Sequence, residues 1–275
     1  MNISQHHTIN LDRTEKYILY LRLSPEGFQF SLHDPLTDGS FYFQQETFSG
    51  TETYLKQLET SIYENDFLLK EYRKIYVIFS SDRFTLIPAF FAEKEEADIY
   101  YDFCFEKKHE TIQSNKLVRN NCYNLFGTDP DISAFLQRTF HTPIFIHHIS
   151  PLCEYFHNKS RLGNFSKMYI QIQPRFIDIL SFNPQGLNFV QTYKYRHTND
   201  VVYYILNAWK QLNLDQQKDE LQIAGTAQIR KEISDILKKY IVNVVPAIFP
   251  PHIYELGKDT IQAPFDLIAL TLCEL

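Results

Sequence analysis

The chain has 275 residues, 44% hydrophobic and 15% aromatic, with a mean hydropathy of -0.30, enough apolar side chain to bury a sizeable core in two domains or one large α/β domain. Long disordered stretches are excluded apart from an N-terminal tail, residues 1–16, which reads as flexible. With 33 acidic against 27 basic residues, a formal net charge of -6, no global basic field exists to gather nucleic acid, and nucleic acid is not expected as a partner.

Three runs rich in Tyr, Phe, Ile and Leu open the ordered chain, Tyr17 to Leu23, Phe28 to Asp34 and Ser40 to Phe48, punctuated by Pro25-Glu26-Gly27 and Asp38-Gly39. They predict an antiparallel meander. A helix is expected from about Thr51 on the stripe Tyr54, Leu55, Leu58 and Ile62, then a buried strand Ile75 to Phe79. Between Ser80 and Gly127 the reading gives a strand near Phe84 to Ile87, a helix from Glu93 to Phe103, and strands near Thr111 to Gln113 and Leu117 to Phe126. Asp129-Pro130 and Ser150-Pro151 each place a capping side chain before a proline, so helices are expected from both, with strand Ile144 to His148 between them and Gly163 as the stop.

The same order then recurs: strands Met168 to Ile172, Phe176 to Phe182 and Leu187 to Tyr195, a helix from Thr198, strand Leu221 to Ala224, a helix carrying Ile229, Ile233, Ile236 and Leu237, strand Ile241 to Val245, and an apolar segment Phe265 to Leu272. Corresponding strands lie about 150 positions apart, but the second and third helices only about 97 and 114, which locates an insertion at about 80–127 in the first half. The expected halves are 17–163 and 164–275, each β-β-β-α-β-α-β-α. The duplication is one of element order; no residue-level repeat accompanies it.

The four cysteines, Cys104, Cys122, Cys153 and Cys273, form no C-x-x-C pair, which argues against a zinc cluster or a disulfide framework and fits a reducing compartment. The opening Met1 to His7 is polar and no run approaches the roughly 18 apolar residues of a spanning helix, so a cytoplasmic protein without membrane insertion is expected.

Two tandem ribonuclease H-like halves, with an insertion after the fourth strand of the first, resemble the actin-like ATPase superfamily over about residues 17 to 275. The meander Leu21-Arg22-Leu23-Ser24-Pro25-Glu26-Gly27-Phe28 and the closing Pro264-Phe265-Asp266-Leu267-Ile268-Ala269-Leu270 are similar to a bacterial family of unknown function with that fold. The superfamily resemblance implies ATP held between the halves by Asp-x-Gly-Ser/Thr turns after each first strand, where a carboxylate holds Mg²⁺ or its water and backbone N–H groups cradle oxygens. Here the first turn reads Leu23-Ser24-Pro25-Glu26-Gly27 and the second Ile172-Gln173-Pro174-Arg175-Phe176. Neither has the aspartate, and each has a proline that removes a donor.

The residues left to touch a nucleotide are Ser24, Glu26, Arg175, Gly225 and Thr226. Arg175 is a cation for a phosphate or simply an exposed turn residue. Gly225 lets an adenosine approach, or makes an ordinary strand-to-helix turn with Thr226 as its cap. Glu26, Asp34 and Asp178 read most simply as turn or exposed strand positions. Ser80-Ser81-Asp82 follows a buried strand without a G-x-S-x-G elbow or an assignable histidine. His147 and His148, adjacent on a strand, are expected on opposite faces, and Cys153 falls in an apolar helix stripe. The expectation is a non-catalytic, actin-like (pseudo-ATPase) binding or assembly module with no cofactor and a protein partner. The alternative is an ATP-dependent phosphotransferase or ATPase with a divergent phosphate site.

Overall fold

A computed structural model describes residues 9–92, 97–106, 109–273 and 275. Strands β1 (Ile18–Ser24), β2 (Gly27–His33) and β3 (Tyr42–Thr47) form the antiparallel meander. Helix α1 (Tyr54–Glu64) follows, capped by Thr53, whose hydroxyl accepts from Lys56 N at 3.3 Å. Strand β4 (Lys74–Phe79) then returns parallel to β1. The insertion contains β5 (Phe84–Pro88), α2 (Ala89–Ala92), α3 (Ala97–Cys104), β6 (Thr111–Leu117) and β7 (Cys122–Thr128), with its strands in a separate sheet of order β5-β7-β6. Glu93 to Glu96, where the sequence places the start of the insertion helix, lie outside the described residues, as do residues 1–8 of the tail.

Helix α4 (Pro130–Thr139) starts as expected: the Asp129 carboxylate accepts from Asp131 N at 2.9 Å and Ile132 N at 3.1 Å. Strand β8 (Ile144–His147) completes a five-stranded sheet of order β3-β2-β1-β4-β8. Its outer edge is blunted by Asn115 of β6, which donates to Phe145 O at 2.8 Å and accepts from His147 N at 2.9 Å.

The second half repeats this plan. After α5 (Ile149–Ser160) come β9 (Lys167–Ile172), β10 (Phe176–Asn183), β11 (Gly186–Lys194), α6 (Thr198–Gln211), β12 (Glu220–Ala224), α7 (Ala227–Leu237) and β13 (Asn243–Pro246). Their sheet has order β11-β10-β9-β12-β13, with the same antiparallel and parallel senses as the first. Short α8 (His252–Glu255), a 3-10 turn at Lys258–Ile261 and α9 (Phe265–Thr271) close the chain. The ribonuclease H-like order is therefore present twice.

Strand pleating sorts the cores. One face of the first sheet carries Leu19, Leu21, Leu23, Phe28, Phe30, Ile75 and Val77, all buried, and α1 packs on β2 with Leu58 and Ile62 inward. In the second sheet, Met168, Ile170, Ile177 and Ile179 meet Val201, Ile205 and Trp209 of α6 and Ile233 and Leu237 of α7. The opposite face of that sheet is aromatic: Phe156 of α5 stacks on Tyr169 at 3.8 Å between ring centroids and lies 5.4 Å from Phe265 of α9.

Contacts divide the chain into two units that do not follow chain order. One gathers the chain up to Asn115, Tyr123–His148 and Pro250–Ala263; the other holds Lys116–Cys122, Ile149–Phe249 and the chain from Pro264 on. The change of unit comes at Ile149 instead of the expected 163 because α5 packs on α9, β10 and β11. Pro250–Ala263 returns to the first unit because Gly39 N donates to Glu255 O and Phe41 N to Leu256 O, both at 2.9 Å.

Two expectations are corrected. Residues 9–16 are not a loose tail: Asn10 N donates to the Tyr17 hydroxyl at 2.9 Å, Thr14 is buried, and Lys70 Nζ donates to Leu11 O at 2.8 Å. Helix α5 begins at Ile149, ahead of Ser150, so Ser150 is a buried helical residue and not a cap.

Candidate functional site

The β1–β2 turn is a two-residue hairpin loop: Ser24 pairs with Gly27, leaving Pro25 and Glu26 at the tip. It is held from both sides, by Phe48 N donating to Glu26 O at 3.0 Å and the Tyr54 hydroxyl donating to Gly27 O at 3.1 Å. Gly27 has φ +152, and a Cβ there would run into the Glu46 carbonyl, so only glycine fits. Beneath the loop, Arg22 and Gln29 are cross-strand partners on the face opposite the leucines. The Arg22 guanidinium, 3% exposed, donates to Gln29 Oε1 at 3.1 Å and Ser80 Oγ at 3.1 Å, and Gln29 donates on to Gln45 Oε1 at 3.0 Å. A hydrogen-bonded row thus crosses from the end of β4 through β1 and β2 to β3. A buried guanidinium held this way is a fixed positive charge whose donors point along the sheet.

The β9–β10 turn has the same shape. Gln173 N donates to Phe176 O at 3.0 Å, leaving Pro174 and Arg175 exposed at the tip. Here the cross-strand pair is Gln171 and Asp178. Asp178 is fully buried, which corrects its reading as an exposed strand position: Oδ2 accepts from Gln173 Nε2 at 2.8 Å and Oδ1 from Thr192 Oγ1 at 2.6 Å. Gln171 donates to the equally buried Asp266 of α9 at 3.2 Å. Where the first half buries an arginine, the second buries a carboxylate.

Each unit brings its own expected site residues to one end of its sheet. Ser24 and Glu26 share the first hairpin, with Ser24 buried and Glu26 partly so. In the second unit, Gly225 sits against Ile172, one residue before the hairpin that carries Arg175; its φ is +146 and a Cβ would come 3.2 Å from Ile172 Cβ. Thr226 stands at the N-cap position of α7, but its side chain makes no cap hydrogen bond. Asp34 is buried in a turn, accepting from Leu36 N at 3.0 Å and the Thr37 hydroxyl at 2.8 Å, with Lys16 Nζ 3.5 Å away. Burial pushes its pKa up, but those donors and Lys16 outweigh it and hold the carboxyl below its ordinary range.

Sequence reasoning missed a third cluster. His147 and His148 do not point to opposite faces: their ring centroids are 4.5 Å apart and both are fully buried. The strand ends at His147, so the alternation rule stops one residue too early to govern His148. His147 Nε2 lies 3.2 Å from Ser81 O and 3.3 Å from Ser81 Oγ, and Nδ1 lies 3.3 Å from Asn124 Nδ2. A carbonyl only accepts, so the ring proton belongs on Nε2 and Nδ1 receives the Asn124 amide. Burial, then the neighbouring His148, hold this imidazole well below its ordinary pKa against the pull of the Ser81 carbonyl. The histidine that Ser81 lacked in the sequence is thus present, with its Nε2 proton directed at the Ser81 carbonyl. Cys153 is fully buried, and burial pushes its thiol far up, away from the thiolate a nucleophile needs. Among the described residues no group of three His, Cys, Asp or Glu could hold a metal ion, and no helix is long and apolar enough to cross a membrane.

Comparison with known proteins agrees with the fold and assigns no activity. No curated protein matches the chain. A Bacteroides thetaiotaomicron VPI-5482 protein, described as having an actin-like ATPase fold and unknown function, is similar at 31% identity with a TM-score of 0.82, over 97% of this chain and 99% of its own. A chain of the PilM-PilN type IV pilus biogenesis complex is similar in fold at 9% identity and a TM-score of 0.60, over 94% of this chain and 99% of its own. The profile of a family described as a protein of unknown function, DUF3822, covers residues 6–244. With its two ribonuclease H-like halves in the actin-like ATPase architecture, the chain belongs to the DUF3822 family.

Proposed function

We propose that this protein is a non-catalytic, actin-like binding or assembly module, a pseudo-ATPase that works through protein contacts. The observation that carries this reading is the pair of proline-led hairpins. A two-residue loop whose first member is proline offers a single tip N–H, from Glu26 in one half and Arg175 in the other. A triphosphate needs several converging donors and a carboxylate free to hold magnesium or its water. Ser24 ends β1 where that carboxylate would stand, and both oxygens of Asp178 already accept side-chain hydrogen bonds. The residues present do not fit magnesium-bound ATP. Similarity in fold to a chain solved as part of a two-protein assembly is in keeping with partner binding.

Calorimetric titration and thermal melts of the full chain with ATP and magnesium test the reading. The expected result is no saturable heat and no stabilisation; a bound nucleotide at a hundredfold excess over its Kd would add about 2.7 kcal/mol. Saturable, magnesium-dependent binding with turnover would overturn it and establish the alternative, a phosphotransferase or ATPase using Ser24, Glu26, Arg175, Gly225 and Thr226. The close approach of Gly225 to the end of β9 is the one observation in that alternative's favour.

A further inference from the structure

The two five-stranded sheets end in the edge strands β3, β8, β11 and β13, and all but β11 are guarded. Asn115 bonds along the edge of β8. At β3 the Asp259 carboxylate accepts from Phe43 N at 3.2 Å. Strand β13 is four residues long and ends in Pro246. Covering groups, short strands and prolines are the usual means of stopping an edge from pairing with another chain. Strand β11 has nine residues, no proline and a single charged side chain, Lys194, at its end.

The backbone of β11 faces outward in a defined pattern. Tyr195 N donates to Arg175 O at 3.2 Å, which turns Tyr195 toward β10. In an antiparallel ladder every second residue bonds to the same neighbour. Tyr193, Gln191 and Phe189 therefore bond to β10, while Val190 and Thr192 direct their N–H and C=O groups away from it. The Gln191 side chain marks that outer side: its Nε2 donates back to Thr192 O at 3.3 Å, where the N–H of a further strand would stand. Among the described residues no backbone group bonds to the outer side of Val190 or Thr192. The regular stretch ends at Asn188, a bulge passed over in the pairing with β10.

We propose that β11 pairs antiparallel with β11 of a second copy about a two-fold axis at Gln191, joining two five-stranded sheets into one. What favours a second copy over a foreign strand is that β11 matches its own reverse in this register. Val190 and Thr192 exchange backbone hydrogen bonds with Thr192 and Val190 of the second copy, the same outward pair on both sides. Phe189 stands opposite Tyr193 of the second copy on the face that packs on α6, an aromatic cross-strand pair. Gln191 meets its own counterpart, and each amide can donate to the other. Lys194 falls opposite Asn188, so no two like charges are opposed along the strand. The proposal concerns β11 alone and holds whether or not nucleotide binds at the hairpin ends.

Sedimentation velocity of the full chain over a dilution series, without nucleotide, tests this. A concentration-dependent dimer is expected, and it should tighten with salt because each chain carries a net charge of -6. Val190→Pro removes an N–H that points away from β10, so the sheet keeps its own bonds while the dimer Kd rises about tenfold or more. Gln191→Lys, at an exposed position, sets two lysines against each other and should weaken the dimer similarly. Mixing Gln191→Lys with Gln191→Glu chains should restore pairing, which only a register that opposes residue 191 to itself allows. Phe103→Ser, an exposed aromatic on the insertion, should change nothing. Thermal melts check that each variant is folded. A monomer at every concentration, a dimer indifferent to both β11 substitutions, or a lysine–glutamate mixture that stays apart would overturn the proposal. ATP turnover in the preceding experiment would overturn the functional reading and leave this one standing.

Discussion

At the scale of single residues, buried polar groups in this protein act as pins, and their replacement should be felt. Gly27 is the sharpest case: Gly27→Ala forces a side chain onto the Glu46 carbonyl at φ +152, and a loss of about 1–3 kcal/mol is expected in urea unfolding. The buried histidines set a pH dependence. Burial lowers the pKa of His33 and, more strongly, of His147 from the ordinary 6.5. Below about pH 6.5 the unfolded chain takes up protons that the folded chain refuses, so stability is fully present above that pH and declines as pH falls, by up to ~1.4 kcal/mol per unit for each group. Urea midpoints measured across that range should fall on the acid side. Neither ring nitrogen of His33 has a hydrogen-bond partner among the described residues, so His33→Leu should recover part of the loss.

At the scale of elements, α5 is the most heavily used helix, with Leu152, Cys153, Glu154, Tyr155 and Phe156 all buried. Phe156 stacks on both Tyr169 and Phe265, so Phe156→Ala should cost about 3–5 kcal/mol, readable as a lowered urea midpoint. Element order was largely legible because the meanders, caps and amphipathic stripes are local signals: Asp129 before Pro130, and the Leu58–Ile62 face of α1, announce themselves in sequence. The candidate sites were half legible. A hairpin's register follows from its turn, so Ser24 opposite Gly27 already implies Arg22 opposite Gln29, and Gln173 opposite Phe176 implies Gln171 opposite Asp178. What no turn announces is the third partner: Ser80 for Arg22, Thr192 for Asp178, His147 for Ser81.

At the scale of the whole molecule, the C-terminal segment serves each unit in turn: Pro250–Ala263 belongs to the first and the chain from Pro264 on to the second. Ending the chain after Phe249 removes the backbone partners of Gly39 and Phe41 and strips α9, with Leu267, Ile268 and Leu270, from the aromatic face. Re-exposing each such side chain costs about 1.5–3 kcal/mol, so the truncated chain should melt well below the full one or fail to stay soluble, as a thermal melt or a sedimentation assay would show. The sequence by itself determined the two ribonuclease H-like series, the insertion and the absence of an aspartate from the turn after each first strand, because these depend on residues within a few positions of one another. Only the tertiary structure decided that the chain changes units at Ile149, that Pro250–Ala263 returns to the first unit, and that a buried arginine in one half answers a buried aspartate in the other. Those outcomes depend on which surfaces separated by a hundred residues or more exclude water together, and periodicity along the chain carries no record of that.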